Sequence, residues 1–173
     1  TAEGKLESGS ESDYNVHYDG NGTLTLNNAT IHGRGDVTQA APQDYGIYAA
    51  PTNNQSVSLT INLIGSNTVS GHEGIRVNAP AGGNATLVIQ SDGNDSKGSL
   101  KAIGSGWSGW NGIKVSAHSG NAYLTINHAS VEASTEGQFY YGVSIMNETA
   151  SNPILSLTVN GGSLTAQGMS GIR

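Results

Sequence analysis

Gly112-Ile113-Lys114-Val115, Leu124-Thr125-Ile126-Asn127 and Ser130-Val131-Glu132-Ala133 follow one another within residues 112–133. In each segment the apolar residues stand two apart, the period of a strand rather than a helix. Gly, Asn and Ser separate the segments, and such clusters turn a chain without supporting a helix of useful length. Working outward, the same three-part template fills the chain. Gly-Ile or Gly-Val recurs at Gly46-Ile47, Gly74-Ile75, Gly112-Ile113, Gly142-Val143 and Gly171-Ile172, with spacings of 28, 38, 30 and 29 residues. The second part recurs as Leu24-Thr25-Leu26, Leu59-Thr60-Ile61, Leu87-Val88-Ile89, Leu124-Thr125-Ile126 and Leu157-Thr158-Val159. The third reads Ala29-Thr30-Ile31, Thr68-Val69, Ser99-Leu100-Lys101-Ala102, Ser130-Val131-Glu132-Ala133 and Ser163-Leu164-Thr165-Ala166.

Three short strands per unit describe a triangular coil. A unit this small cannot bury its own apolar face, so it must stack on its neighbours with equivalent residues one strand spacing apart. The expected fold is all-β: a right-handed parallel β-helix of three-stranded rungs and about five coils. One inward stack is expected through Ile47, Ile75, Ile113, Val143 and Ile172, and a second through Leu24, Leu59, Leu87, Leu124 and Leu157. Val69, Leu100, Val131 and Leu164 make the third. A β-sandwich is the structural rival, but its strands do not usually follow a repeating three-part template.

The residue after the second strand is Asn27, Asn62, Gln90, Asn127 and Asn160 in successive units, and stacked amides can hydrogen-bond along such a ladder. With these residues in view, the Gly-Ile-x-Val, Leu-Thr-Ile-Asn and Ser-Leu-x-Ala pattern resembles the β-helical repeats of large surface proteins in Gram-positive gut bacteria, many described as carbohydrate-binding domains. The amide ladder is similar to that of pectate-lyase-type β-helices. The resemblance covers about residues 14 to 173. It implies an extracellular or cell-surface setting and glycan contact, with calcium in some relatives.

Composition narrows the alternatives. Charged residues make up 12% of the 173, and neutral polar groups carry solubility. The formal net charge of −6, from 7 Lys plus Arg against 13 Asp plus Glu, provides no broad footprint for nucleic acid. Zero cysteines remove disulfides, thiolate nucleophiles and Cys-based zinc sites. No apolar run is long enough to span a bilayer. Residues 1–13 are polar without alternation and are expected to be a flexible lead or a cap edge, with one β-helix domain over residues 14–173. Gly171-Ile172-Arg173 opens a unit that does not close, so continuation into a longer protein, or end-to-end contact through that uncapped rung, is expected.

Outward positions carry function in a solenoid, because inward ones are committed to packing. The outward column of the Gly-Ile-x strand reads Tyr48, Arg76, Lys114, Ser144 and Arg173, and an acidic glycan can lie along it. Such cations also simply keep a sheet edge soluble. Aromatics gather where the third strand turns back to the first: Tyr45, Trp107, Trp110, Phe139, Tyr140 and Tyr141. They either form a platform for sugar rings or fold down to plug the corner. The Thr25, Thr60, Val88, Thr125 and Thr158 column resembles the flat hydroxyl face of ice-binding solenoids, but Val88 and Tyr123 interrupt it.

No catalytic motif is legible. Asp44, Glu73, Glu132 and Glu136 lie near the aromatic corner without a spacing that demands an acid–base pair. Asp92-Gly93-Asn94-Asp95 can supply calcium ligands but lacks the twelve-residue loop grammar, and a turn is the commoner meaning of such a run. The histidines do not repeat at equivalent positions, and Arg34-Gly35-Asp36 is too short a match to carry weight. The leading expectation is a non-catalytic β-helical module of a secreted or cell-surface bacterial protein, binding polysaccharide or surface glycan through the aromatic corner and the basic column. A purely structural stalk or adhesin spacer is the alternative, and a polysaccharide lyase or glycosidase comes third. No cofactor is required, calcium being the one that the resemblance allows.

Overall fold

A computed structural model describes residues 14–33, 44–51, 53, 55–80, 82–91, 98–105, 110–137 and 139–173. The first rung holds β2 (Thr23–Asn27), β3 (Thr30–His32) and β4 (Ile47–Ala49), and the second β5 (Val57–Ile64), β6 (Ser66–Gly71) and β7 (Ile75–Ala79). The third holds β8 (Ala85–Ser91), β9 (Ser99–Gly104) and β10 (Ile113–Ala117). The fourth holds β11 (Ala122–Asn127), β12 (Ser130–Thr135) and β13 (Tyr141–Asn147), and the fifth β14 (Leu155–Asn160), β15 (Ser163–Gln167) and β16 (Ser170–Ile172). Corresponding strands pair in parallel to give three sheets, so the chain is a parallel β-helix with three-stranded rungs. Sheet A stacks β2-β5-β8-β11-β14, sheet B β3-β6-β9-β12-β15, and sheet C β4-β7-β10-β13-β16. One strand departs from this plan: β1 (Val16–Tyr18) lies antiparallel on β2 and covers that edge of sheet A. The expectation for residues 1–13 lies outside the described residues.

The Gly-Ile stack is as expected: Ile47, Ile75, Ile113 and Val143 face one another in turn, and Val143 faces Ile172. The glycine of that dipeptide answers a steric demand. A Cβ on Gly74 would stand 2.6 Å from the Gly112 carbonyl oxygen and 2.7 Å from the Ile103 nitrogen, and one on Gly112 would stand 2.6 Å from the Ser134 nitrogen. The chain passes against the backbone of sheet B as it enters sheet C, and only glycine leaves room. At the turn from sheet A to sheet B the constraint is dihedral. Asn28, Gly65, His128 and Gly161 all have φ between 49° and 64°, the left-handed region open to Gly and tolerated by Asn and His.

Two of the expected stacks are corrected in register. Leu59, Leu87, Leu124 and Leu157 do align, but Leu24 faces Ile61. β5 runs two residues past Asn62, and β2 registers on that longer end, so Asn27 faces Ile64 instead of joining the amide ladder. The ladder proper is Asn62, Gln90, Asn127 and Asn160. In it Gln90 donates to Asn62 at 2.8 Å and Asn160 to Asn127 at 2.9 Å. On sheet B, Val69 faces Ile31 and Ala102, while Asn67 occupies the position in line with Leu100, Val131 and Leu164.

Asn67 is 3% exposed in an otherwise apolar stack, and its polar atoms are all answered. Its Nδ2 donates to the carbonyls of Ile64 and Ser99 at 3.1 and 3.2 Å, and its Oδ1 accepts the Ala29 N–H at 2.8 Å. A buried amide with every bond made is tolerated where an unpaired one is not. The stacks are otherwise Leu, Ile, Val and Ala, with Ile61, Ile75, Leu87, Ile89, Ile113, Leu124 and Ile126 fully buried, and the remaining buried polar groups include Asp44, His72, Glu73 and Asn111 at the turn from sheet B to sheet C. Each of those apolar side chains contributes about 1.5–3 kcal/mol relative to exposure.

Candidate functional site

The turn from sheet B to sheet C carries the aromatic residues. Its backbone is itself laddered: His72 N–H donates to the Asp44 carbonyl at 2.7 Å, and Trp110 N–H to the His72 carbonyl at 2.9 Å. Two rungs further on, Met169 N–H donates to the Tyr140 carbonyl at 2.9 Å. These bonds bring side chains distant in sequence to one rung spacing, about 4.8 Å.

The result is a continuous row of rings. Tyr48 stacks on Tyr45 at a centroid distance of 5.2 Å and an interplanar angle of 27°. Tyr45 stands 6.4 Å from the imidazole of His72, which is 5.0 Å from Trp110. Trp110 in turn stacks on Tyr140 at 5.4 Å and 17°. Both Trp110 and Tyr140 are part-exposed, and Phe139 beside them is 74% exposed. Trp110, Tyr140 and Phe139 therefore keep part of their surface in solvent, whereas the His72 imidazole between Tyr45 and Trp110 is buried.

The basic column runs alongside. Tyr48, Arg76, Lys114 and Ser144 face one another in order, and Arg173 hydrogen-bonds the backbone of Val143 and Ile145 one rung on. Each cation lies over a ring: Arg76 over Tyr45 at 5.4 Å, Lys114 over Trp110 at 5.5 Å and Arg173 over Tyr141 at 5.4 Å. Such contacts contribute about 0.5–1 kcal/mol at exposed sites and more when desolvated.

Beneath this surface lies a charge network. Glu73 is fully buried, with Oε2 accepting from Arg76 Nη1 at 3.2 Å and Oε1 from Asn111 Nδ2 at 2.9 Å. Arg76 Nη1 also donates to the Tyr45 hydroxyl at 3.2 Å, which fixes that ring in the row. Asn111 Oδ1 accepts the Tyr141 N–H at 3.3 Å, so one carboxylate ties three successive rungs together. Burial raises the pKa of Tyr45 and lowers those of His72 and Lys114. Arg76 is thus a clamp within the corner rather than a free basic surface group.

Sequence-level candidates divide accordingly. Tyr45, Tyr48, Trp110, Tyr140, Arg76 and Lys114 come together, with Phe139 and Tyr141 adjoining. Trp107, Asp92-Gly93-Asn94-Asp95 and Arg34-Gly35-Asp36 lie outside the described residues. Among the described residues no cluster of three or more His, Asp or Glu side chains is placed to hold a metal ion. Of the carboxylates near the corner, Glu73 is committed to Arg76 and Asn111, and Glu132 pairs with Lys101 at 3.3 Å on the outer face of sheet B.

His72 and Asn111 were missed in the sequence, although a signal existed. Asp44, His72, Trp110 and Tyr140 each stand two residues before the glycine of the Gly-Ile or Gly-Val dipeptide, and aligning the units on that glycine puts them in one column. The chain matches no protein-family model, no curated protein and no solved structure.

Proposed function

We propose that this chain is a non-catalytic β-helical module of a secreted or cell-surface protein, and that it binds polysaccharide along the corner between sheets B and C. The observation that carries this reading is the ring row itself: Tyr48, Tyr45, His72, Trp110 and Tyr140 in unbroken contact across four rungs. Sugar rings present apolar C–H faces, which pack on aromatic faces, and hydroxyl edges, which accept from flanking cations. A row running along the coil axis suits a linear chain of such rings better than a compact small molecule. The commitment of Glu73 and Glu132 to ion pairs supports a binding role over hydrolysis. The extracellular setting rests on the resemblance of the repeat.

Binding to an array of plant, microbial and host glycans tests the reading, using the chain itself, Trp110→Ala and Tyr140→Ala. At least one polysaccharide class should bind, and each substitution should weaken it roughly tenfold or more, about 1.4 kcal/mol, with the fold unchanged by circular dichroism. A structural stalk shows no binding, or binding indifferent to both changes.

A further inference from the structure

The cations of the described surface are not equivalent. Arg76 is answered by Glu73 at 3.2 Å, Lys101 by Glu132 at 3.3 Å and His118 by Glu148 at 3.0 Å. Lys114 has no carboxylate within ion-pair distance among the described residues, although the chain carries 13 acidic groups against 7 Lys plus Arg. Its register neighbours are Arg76 on one side and Ser144 on the other. Its ammonium is held over the Trp110 ring at 5.5 Å, and burial holds its pKa down. Glu73 and Glu148 favour the charged form from beyond ion-pair distance, but burial outweighs them, and the ring face offsets only part of the cost of desolvating the cation. A lysine needed only for solubility reaches into water and carries no such cost.

Resting on the glycan reading of the same corner, we infer that Lys114 contacts a single anionic group, a carboxylate or sulfate borne by a sugar whose ring lies on Trp110 and Tyr140. An ammonium is a compact point charge with rotatable donors, so it reads charge rather than the planar shape of the anion. Arg76, neutralised by Glu73 and bonded to Tyr45, adds little to the field at this point. Arg173, two rungs on over Tyr141, likewise has no ion-pair carboxylate among the described residues, but at the Trp110–Tyr140 platform the site reads one anionic group at one position. The ligand's anion supplies the direct ion-pair partner that Lys114 lacks among the described residues, so part of the desolvation cost is already met before binding.

Titration calorimetry with matched oligosaccharides tests this. The probes are a β-1,4-glucan hexamer with its C6-oxidised and C6-sulfated forms, and an α-1,4-galacturonate hexamer with its carboxyl-reduced form. The proteins are the unaltered chain, Lys114→Gln, Lys114→Arg and Trp110→Ala. At least one anionic oligomer should bind about tenfold or more tighter than its neutral counterpart. Lys114→Gln should erase that difference, weakening the anionic oligomer far more than its neutral counterpart, and Lys114→Arg should retain it. Comparison of the oxidised with the sulfated glucan separates carboxylate from sulfate.

Equal binding of charged and neutral forms, with loss of both in Trp110→Ala, overturns the role of Lys114 and leaves the platform standing. An anionic preference that survives Lys114→Gln overturns it too. Binding indifferent to Trp110→Ala removes the platform itself, whatever the charge dependence. Failure of every probe to bind the unaltered chain overturns the anionic assignment, and the array above then decides the platform separately.

Discussion

The two turns that flank sheet C use their polar side chains in opposite ways. At the turn into sheet A, Asn84 N–H donates to Ser56 Oγ at 3.0 Å, Asn121 N–H to Asn84 Oδ1 at 2.9 Å, and Ile154 N–H to Asn121 Oδ1 at 2.9 Å. Each side-chain oxygen satisfies the backbone of the next rung, so the polar groups are consumed in stacking. At the turn from sheet B the side chains stack on each other, a carboxylate is buried beneath them, and His72 Nε2 is buried without a hydrogen-bond partner among the described residues. A corner spent on backbone hydrogen bonds has nothing left to offer a ligand. On the proposed reading, the corner that holds rings and a cation partly out of water at some cost in stability is the one that meets the ligand.

The largest test of that contrast is Glu73→Ala. It strands Arg76 Nη1 and Asn111 Nδ2 around a buried hole, and removal of one partner from a buried ion pair costs about 3–5 kcal/mol. Urea unfolding should show the loss as a lower midpoint, with Glu73→Gln intermediate because an amide oxygen still accepts from Asn111. The matching change at the other turn, Asn121→Ala, removes one acceptor from a part-exposed position. Its cost should be about 1 kcal/mol by the same measurement. Equal costs at the two turns would break the comparison, since the Glu73 network would then be no more than another rung-to-rung bond.

The difference between the corners also explains what could be read in advance. The three-part repeat, the Gly-Ile stack and the outward column of Tyr48, Arg76 and Lys114 follow from the recurring glycine dipeptide together with period-two alternation, and all three are present. Register failed where a rung changed length. β5 carries Leu63 and Ile64 beyond Asn62, so Asn27 and Leu24 shift against it, and a template aligned on residue types cannot see which end of a longer strand is paired. Val69 was misplaced because Asn67 takes an apolar position, and only the answering groups of Ala29, Ile64 and Ser99 make that tolerable. At the site, the aromatic cluster was visible as composition. The Glu73 clamp was not, because nothing in a sequence distinguishes a carboxylate that faces its own Arg at i+3 from one that faces water.

The smallest expected effect separates the corners by pH. His72 lies between Tyr45 and Trp110, faces the charges of Glu73, Asp44 and Arg76, and is 4% exposed. Burial lowers its pKa from the ordinary 6.5 more than Glu73 and Asp44 raise it. The unfolded chain therefore binds this proton more readily than the folded one. The contribution is fully present above pH 6.5 and is lost as pH falls through the lower folded-state value. Melting temperatures of the unaltered chain should fall below pH 6.5 more steeply than those of His72→Phe, which keeps a ring between Tyr45 and Trp110 but has no proton to accept. Asn121→Ala, at the turn without a buried imidazole, should follow the unaltered pH profile at a uniformly lower temperature. Parallel profiles for all three would mean that the imidazole meets water after all, and with it that the ring row is looser than the stacking distances imply.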